Sequence, residues 1–274
     1  MNQKIKVVIY DSGAGGLSIT RQLISRGVYC DLFYLADKAA FPYGKLSEHE
    51  LLGRAMKLMQ HCQAQFAPDL VIVACNTAST LLLPHLRKRW NIPFIGVVPA
   101  IKPAAALSQS KTIAVLATEA TIQRPYIYEL IDEHAKHCHV ELLACPNLVA
   151  LSEEFIRTGV VDAEALHELL RRLFEAHSKV DTLVLACTHF PILKAHIEAF
   201  TENLAVRVID SSDAIVNRFV QLQPNAAIDK AASSPQVTFI NTAAERLSHY
   251  ADYLSEFQCP VTFIEHFADE KKAP

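Results

Sequence analysis

Two of the chain's cysteines occupy matching settings. Asp69-Leu-Val-Ile-Val-Ala-Cys75-Asn-Thr and Asp181-Thr-Leu-Val-Leu-Ala-Cys187-Thr-His each run from an aspartate through an apolar stretch to Ala-Cys, with the cysteine six positions after the aspartate. Polar residues follow at once, Asn76-Thr77 in the first and Thr188-His189 in the second. Cysteine is often buried for packing alone, but such a residue is more often followed by apolar neighbours. The chemistry that calls for two thiols is inversion of a carbon held between an amine and a carboxylate. It needs a base on one face and an acid on the other. Thiols need help in this role, because an ordinary pKa of about 8.5 leaves only a small fraction as thiolate at neutral pH. Asp11 is the natural partner of Cys75, and His189, or an acid such as Glu153, can assist Cys187. The pair predicts cofactor-independent racemisation of an amino acid.

Other residues bear on the same site. Asp11-Ser12-Gly13-Ala14-Gly15-Gly16 lies between an apolar run and a helical pattern. Glycines reach backbone conformations closed to other residues, and amides at a helix start bind anions. A dinucleotide or phosphate loop is the rival reading. The spacing is not Gly-x-Gly-x-x-Gly, however, and the Gly-Lys-Ser/Thr of a P-loop is missing, so a carboxylate-sized anion beside Asp11 fits better. Phe41-Pro42-Tyr43-Gly44 is a turn by composition. It is either a plain connection or a source of backbone amides and a phenol for a pocket rim. Cys187 and His189 would also suit a cysteine hydrolase, which leaves Cys75 and the repeated pattern unexplained. His134, His137 and His139 surround Cys138, but His-x-x-His-x-His matches the usual zinc spacings poorly, and no metal is expected. Nothing points to pyridoxal phosphate; Lys45 and Lys102 read as surface residues.

The elements that must position these residues alternate. Apolar, β-branched runs over 5–10, 32–36, 70–74, 94–97, 112–117, 140–144, 182–186, 206–209 and 237–240 predict strands. Helical patterns fall near 16–26, 46–65, 77–89, 122–136, 161–177 and 190–200. Several strands are continuously apolar, as in buried parallel sheets, and the βαβα order predicts an α/β fold with helices on both sheet faces. The two Asp-to-Cys segments, and a looser match between Val7-Val-Ile-Tyr-Asp11-Ser and Ala114-Val-Leu-Ala-Thr118-Glu, predict a duplicated α/β unit whose halves face each other. Each cysteine then ends an equivalent strand, where open α/β sheets place their ligand sites.

Composition narrows the class. With 51% hydrophobic residues the 274-residue chain can bury a sizeable core, and its net charge of −3 does not point to nucleic acid or an anionic membrane. The seven cysteines form no Cys-x-x-Cys pair, so free thiols in a reducing, cytoplasmic setting fit better than a disulfide framework. The apolar run at Val7 is too short for a signal peptide, and no apolar run is long enough to cross a bilayer. The polar end Asp269-Glu-Lys-Lys-Ala-Pro274 is expected to fray.

Five motifs then carry a family resemblance. Asp11-Ser-Gly-x-Gly-Gly-Leu17, Phe41-Pro-Tyr-Gly44, Ala74-Cys-Asn-Thr-Ala78, Gly96-Val-Val-Pro99 and Ala186-Cys-Thr-His-Phe-Pro191 together resemble the glutamate racemase family, in family order and from about Val7 to Asp213. The resemblance implies interconversion of L- and D-glutamate without a cofactor, supplying D-glutamate for peptidoglycan. The thiol matching Cys75 acts on the D enantiomer and that matching Cys187 on the L enantiomer. Asp11, Ser12, Tyr43, Gly44, Asn76, Thr77, Thr188 and His189 match positions that contact substrate or assist the thiols, and Thr121 lies in a further substrate-contacting stretch. Glu153 matches the family acid near the second cysteine, although Ala150 and Ser152 replace the usual Pro and Val and Glu154 adjoins it. The implied fold is two pseudo-symmetric α/β domains with mostly parallel sheets and the active site in the interdomain cleft. Residues 1–97 and 212–274 form the first domain and 98–211 the second. A homodimer is implied as well. Ten residues precede Asp11, so the N-terminal regulatory extension of some relatives is not expected here.

Overall fold

The structure is a computed structural model and describes residues 4–226 and 235–267. The polar end at 269–274 lies outside the described residues. Contacts divide the chain into two compact units, Met1–Val97 with Ser212–Pro274, and Val98–Ser211.

The first unit opens with β1 (Ile5–Asp11), α1 (Leu17–Ser25), β2 (Cys30–Ala36), α2 (Glu48–Phe66), β3 (Leu70–Val73), α3 (Asn76–Arg89) and β4 (Phe94–Gly96). The second unit holds α4 (Ile101–Leu107), β5 (Thr112–Ala117), α5 (Glu119–Ile122), α6 (Pro125–His134), β6 (His139–Ala144), α7 (Pro146–Thr158), α8 (Ala163–Ala176), β7 (Thr182–Leu185), α9 (Lys194–Thr201) and β8 (Arg207–Ile209). The chain then returns to the first unit as α10 (Ser212–Leu222), β9 (Val237–Asn241), α11 (Ser248–Tyr253) and β10 (Val261–Ile264).

The strand orders are β10-β9-β2-β1-β3-β4 and β6-β5-β7-β8. All the described ladders are parallel. The fold is therefore α/β with parallel sheets. Both sheets share the four-strand order second-first-third-fourth, and the first is widened by the returning strands. Continuous apolar strands follow from cover on both faces. In the second unit Ala114, Leu116, Leu183 and Leu185 pack with Leu148, Leu166, Leu170 and Ile197 of α7, α8 and α9. The alternate residues Ile113, Val115, Val184 and Ala186 pack with Ile101, Ala104 and Ile127 of α4 and α6.

Register corrects the comparison of the two halves. Tyr10 lies opposite Val73, and Leu116 opposite Leu185, each partner being two residues before its cysteine. Asp11 therefore corresponds to Ala117 and not to Thr118, one residue away from the sequence alignment. Hydrogen bonding decides this, because a one-residue slip would exchange the two faces of the strand. The two aspartates of the repeat also have a plain explanation. They sit where β3 and β7 begin, at the opposite end from the cysteines. Asp69 accepts a hydrogen bond from the Lys6 amide at 2.8 Å. Asp181 accepts from the Ser108 hydroxyl, the Gln109 and Ser110 amides and the Thr182 hydroxyl at 2.6–3.0 Å.

Among the described residues α4, α5, α7, α10, α11 and β10 escape the sequence patterns. For α7 the reason is visible. Its first residue is Pro146, which with Asn147 reads as a turn, yet proline suits the first helical position because the amide it lacks would be unpaired there. Among the described residues, no helix is long and apolar enough to cross a membrane.

Candidate functional site

In the first unit, β1 and β3 are adjacent and their C-terminal ends carry the predicted residues. The chain passes from β1 to β2 on one side and then returns to place β3 on the other, so this is a topological switch point. Asp11 ends β1 and is fully buried. Its Oδ1 accepts the Gly13 amide at 2.7 Å, which folds the loop back on its own carboxylate. The left-handed glycines are Gly27 and Gly159, not those of this loop, so the conformational freedom expected of it is not what the loop uses. Close approach explains Gly16: a Cβ there would meet the Ala74 Cβ at 3.0 Å and the Tyr34 ring at 3.1 Å. Ala74 immediately precedes Cys75.

Cys75 is extended (φ −138°, ψ 120°) and forms the N-cap of α3 without a side-chain cap bond. Its 8% exposure, with Asn76 at 4% and Thr77 at 5%, places all three at a buried helix start. The first-turn amides and the positive end of the helix favour negative charge there. Asn76 Oδ1 is buried with no hydrogen-bond partner among the described residues, an acceptor suited to an ammonium group. Ser79, which the sequence reading passed over, ties the strand ends together. Its hydroxyl donates to Val73 O at 2.8 Å and accepts the Val97 amide at 3.0 Å.

Tyr43 departs from expectation. Its phenol is not at a rim but buried, 2% exposed. It donates to Asp37 Oδ2 at 2.7 Å and is bonded to the Tyr10 hydroxyl. Gly44, beside it, is exposed. Burial pushes both phenols well above the usual tyrosine pKa, and the charge of Asp37 adds to the effect. Asp37 itself is fully buried and held by Arg54 in two bonds of 2.5 and 2.6 Å and by the Thr242 hydroxyl at 2.7 Å.

The second unit arranges the equivalent strand ends differently. Cys187 (7% exposed), Thr188 (5%) and His189 (4%) follow β7. A short 3-10 turn, Phe190–Leu193, separates them from α9. His189 Nδ1 lies 4.0 Å from the Cys187 sulfur, and Nε2 lies 2.8 Å from Glu153 Oε1. A carboxylate can only accept, so Nε2 carries the hydrogen. In neutral imidazole this leaves Nδ1 as the acceptor toward the thiol. Glu153 reaches this position from α7. Glu154 is exposed and pairs instead with Arg157 at 2.5 Å. Thr121 is buried in α5, just beyond β5, where its hydroxyl lies 2.9 Å from that of Thr118.

Burial pushes Cys30 and Cys62 up to about 12 and Cys145 to about 11, so they are packing residues. His139 pairs with Glu141 at 2.7 Å and His134 with Glu133 at 3.5 Å. Among the described residues no cluster of histidine, cysteine and acidic side chains could hold a metal ion.

Comparison with known proteins identifies the family. The family model described as Asp/Glu/Hydantoin racemase matches residues 25–219. A glutamate racemase of Actinobacillus pleuropneumoniae is 45% identical over 218 residues, covering 78% of this chain and 80% of that relative. One of Shewanella loihica is 45% identical over 219 residues, covering 79% and 80%. The crystal structure of Escherichia coli glutamate racemase in complex with L-glutamate and the activator UDP-MurNAc-Ala superposes with a TM-score of 0.86 at 33% identity, over 96% of this chain and 98% of that one.

Proposed function

Because this chain belongs to the Asp/Glu/hydantoin racemase family and is an amino-acid racemase, we propose that its substrate is glutamate and that Cys75 and Cys187 exchange the α-proton from opposite faces. The observation that carries the reading is the paired placement of the sulfurs. Each ends the third strand of a second-first-third-fourth parallel sheet, at the switch point of its unit. In this reading the two sulfurs act on opposite faces of the α-carbon.

With L-glutamate, the Cys187 thiolate takes the α-proton and the Cys75 thiol delivers another to the opposite face. With D-glutamate the roles reverse. Asp11 assists Cys75. His189, oriented by Glu153, takes the Cys187 proton. Ser12, Asn76, Thr77, Thr121 and Thr188, with the turn at Tyr43 and Gly44, hold the two carboxylates and the amine. No cofactor is required, because the thiols supply both the base and the acid. We further propose that the enzyme is a cytoplasmic homodimer and that its D-glutamate product feeds peptidoglycan synthesis.

The test is solvent deuterium incorporation at the α-carbon. Each thiol carries a single exchangeable proton, so early in the reaction deuterium should appear in the product enantiomer and far less in recovered substrate. Cys75→Ala and Cys187→Ala should each lower racemisation by about a thousandfold. Absence of exchange and of optical change with either enantiomer would reject the reading. Faster turnover of aspartate than of glutamate would move the assignment to an aspartate racemase on the same scaffold.

A further inference from the structure

The geometry points to Arg54 as a positioning residue: by gripping Asp37 it fixes the Tyr43 phenol, and with it the Pro42–Gly44 backbone that meets the substrate. This inference rests on the reading that the Tyr43-Gly44 turn contacts substrate.

The direction of every bond in the chain of groups follows from the donor inventory. Arg54 donates to both Asp37 oxygens, from Nε to Oδ2 and from Nη2 to Oδ1. Thr242 also donates to Oδ1, and its oxygen accepts the Ala39 amide at 3.1 Å. The carboxylate can only accept, so the Tyr43 hydroxyl spends its single proton on Asp37. Tyr10 must then be the donor to Tyr43. Order runs from the guanidinium through a fully buried carboxylate to the phenol of Tyr43, and on to Tyr10, which immediately precedes Asp11.

Two features make Arg54 the controlling group. Asp37 is fully buried while Arg54 is about one-third exposed, so the arginine brings the compensating charge in from the surface. Removing it would leave a buried carboxylate without its counter-charge, a costly state that is relieved by protonation or displacement. Either change weakens the acceptor that holds Tyr43. A lysine keeps the charge but not the planar fork that engages both oxygens. The Tyr43 ring also packs against the Tyr10 ring, with centroids 6.0 Å apart. Its place in the core therefore survives loss of the hydroxyl, whereas its rotational setting does not.

Steady-state kinetics on whichever amino acid the wild type racemises decide the matter. Arg54→Lys and Tyr43→Phe should each raise KM about tenfold in both directions while kcat falls less than threefold, the pattern of lost ground-state binding. The double variant should be no worse than the worse single variant, because both break one chain of bonds. KM within twofold of wild type in Tyr43→Phe, a fall in kcat at unchanged KM, or additive effects in the double variant would overturn the inference. If Arg54→Lys does not fold, the KM of Tyr43→Phe alone decides. A wild type that racemises another amino acid overturns the glutamate assignment and leaves this test intact.

Discussion

The two units build the same strand-end geometry from different chemistry. Where the first unit has Asp11 at the end of β1, the second has Ala117. Where the Asp37 amide bonds to Asp11 O at 2.8 Å, the Cys145 amide bonds to Ala117 O at 3.0 Å. Two buried carboxylates on one side are thus matched by a methyl group and an inert thiol on the other. The second unit recovers an acid from outside its sheet: Glu153 comes from a helix and reaches the thiol through His189. The two units share the backbone register and the placement of the sulfurs. In the proposed mechanism, the groups that move protons around those sulfurs differ between the two units.

The comparison can be broken most sharply at the groups beside the sulfurs. Asp11→Asn removes the one carboxylate at the β1 end and should lower kcat about a hundredfold or more, as should His189→Asn on the other side. Near-wild-type rates for either variant would show that its half does not depend on the group assigned to it. A smaller effect separates neighbouring acids. Glu153→Gln should slow turnover about tenfold by loosening His189. Glu154→Gln, which disturbs only an exposed ion pair, should leave the rate within about twofold. The reverse order would move the acid to Glu154.

The smallest effect lies at the strand starts and is read in stability. Asp181 accepts four hydrogen bonds and Asp69 is bonded to the Lys6 amide, so Asp181→Asn should cost about 2 kcal/mol and Asp69→Asn about 1 kcal/mol. Partial burial works against ionisation of Asp181, but the Ser108, Ser110, Thr182 and Gln109 donors outweigh it and hold its pKa at about 2, below the usual 3.8. The wild-type advantage should therefore be complete above about pH 4 and vanish as pH falls through about 2. Denaturant melts across that window would reveal equal losses for both variants if the two aspartates are equivalent.

Much of this was legible in the sequence. Continuous apolar runs marked the strands, and the repeated Asp-to-Cys segments marked the two strand ends. Distances along the chain hid the rest. Arg54 and Thr242 meet Asp37 across 17 and 205 residues, and no local pattern announces such a meeting. Tyr43 appeared as a loop residue because proline and glycine flank it. Its burial follows from Tyr10, on β1, and Asp37, which directly follows the neighbouring strand β2. Glu153 was identifiable by motif alone, and its helix was concealed by the proline that starts it. The half-match of Asp11 with Thr118 failed by one residue because side-chain character cannot fix a register that backbone hydrogen bonds determine.

The returning segment has a consequence for the order in which the protein can be assembled during synthesis. Val98 and Ser211, the ends of the second unit, lie one hydrogen bond apart at 2.5 Å, so that unit is complete as soon as Ser211 has been made. The first unit is not. The outer edge of β2 awaits β9, and Asp37 awaits the Thr242 hydroxyl that follows it. The half of the molecule that is started first is finished last. A ribosome stalled between the two events would hold a completed Cys187 unit beside an open sheet edge. During synthesis the outer edge of β2 stays open from its own completion until β9 is made, an interval that spans the whole of the second unit and leaves the edge open to wrong pairing.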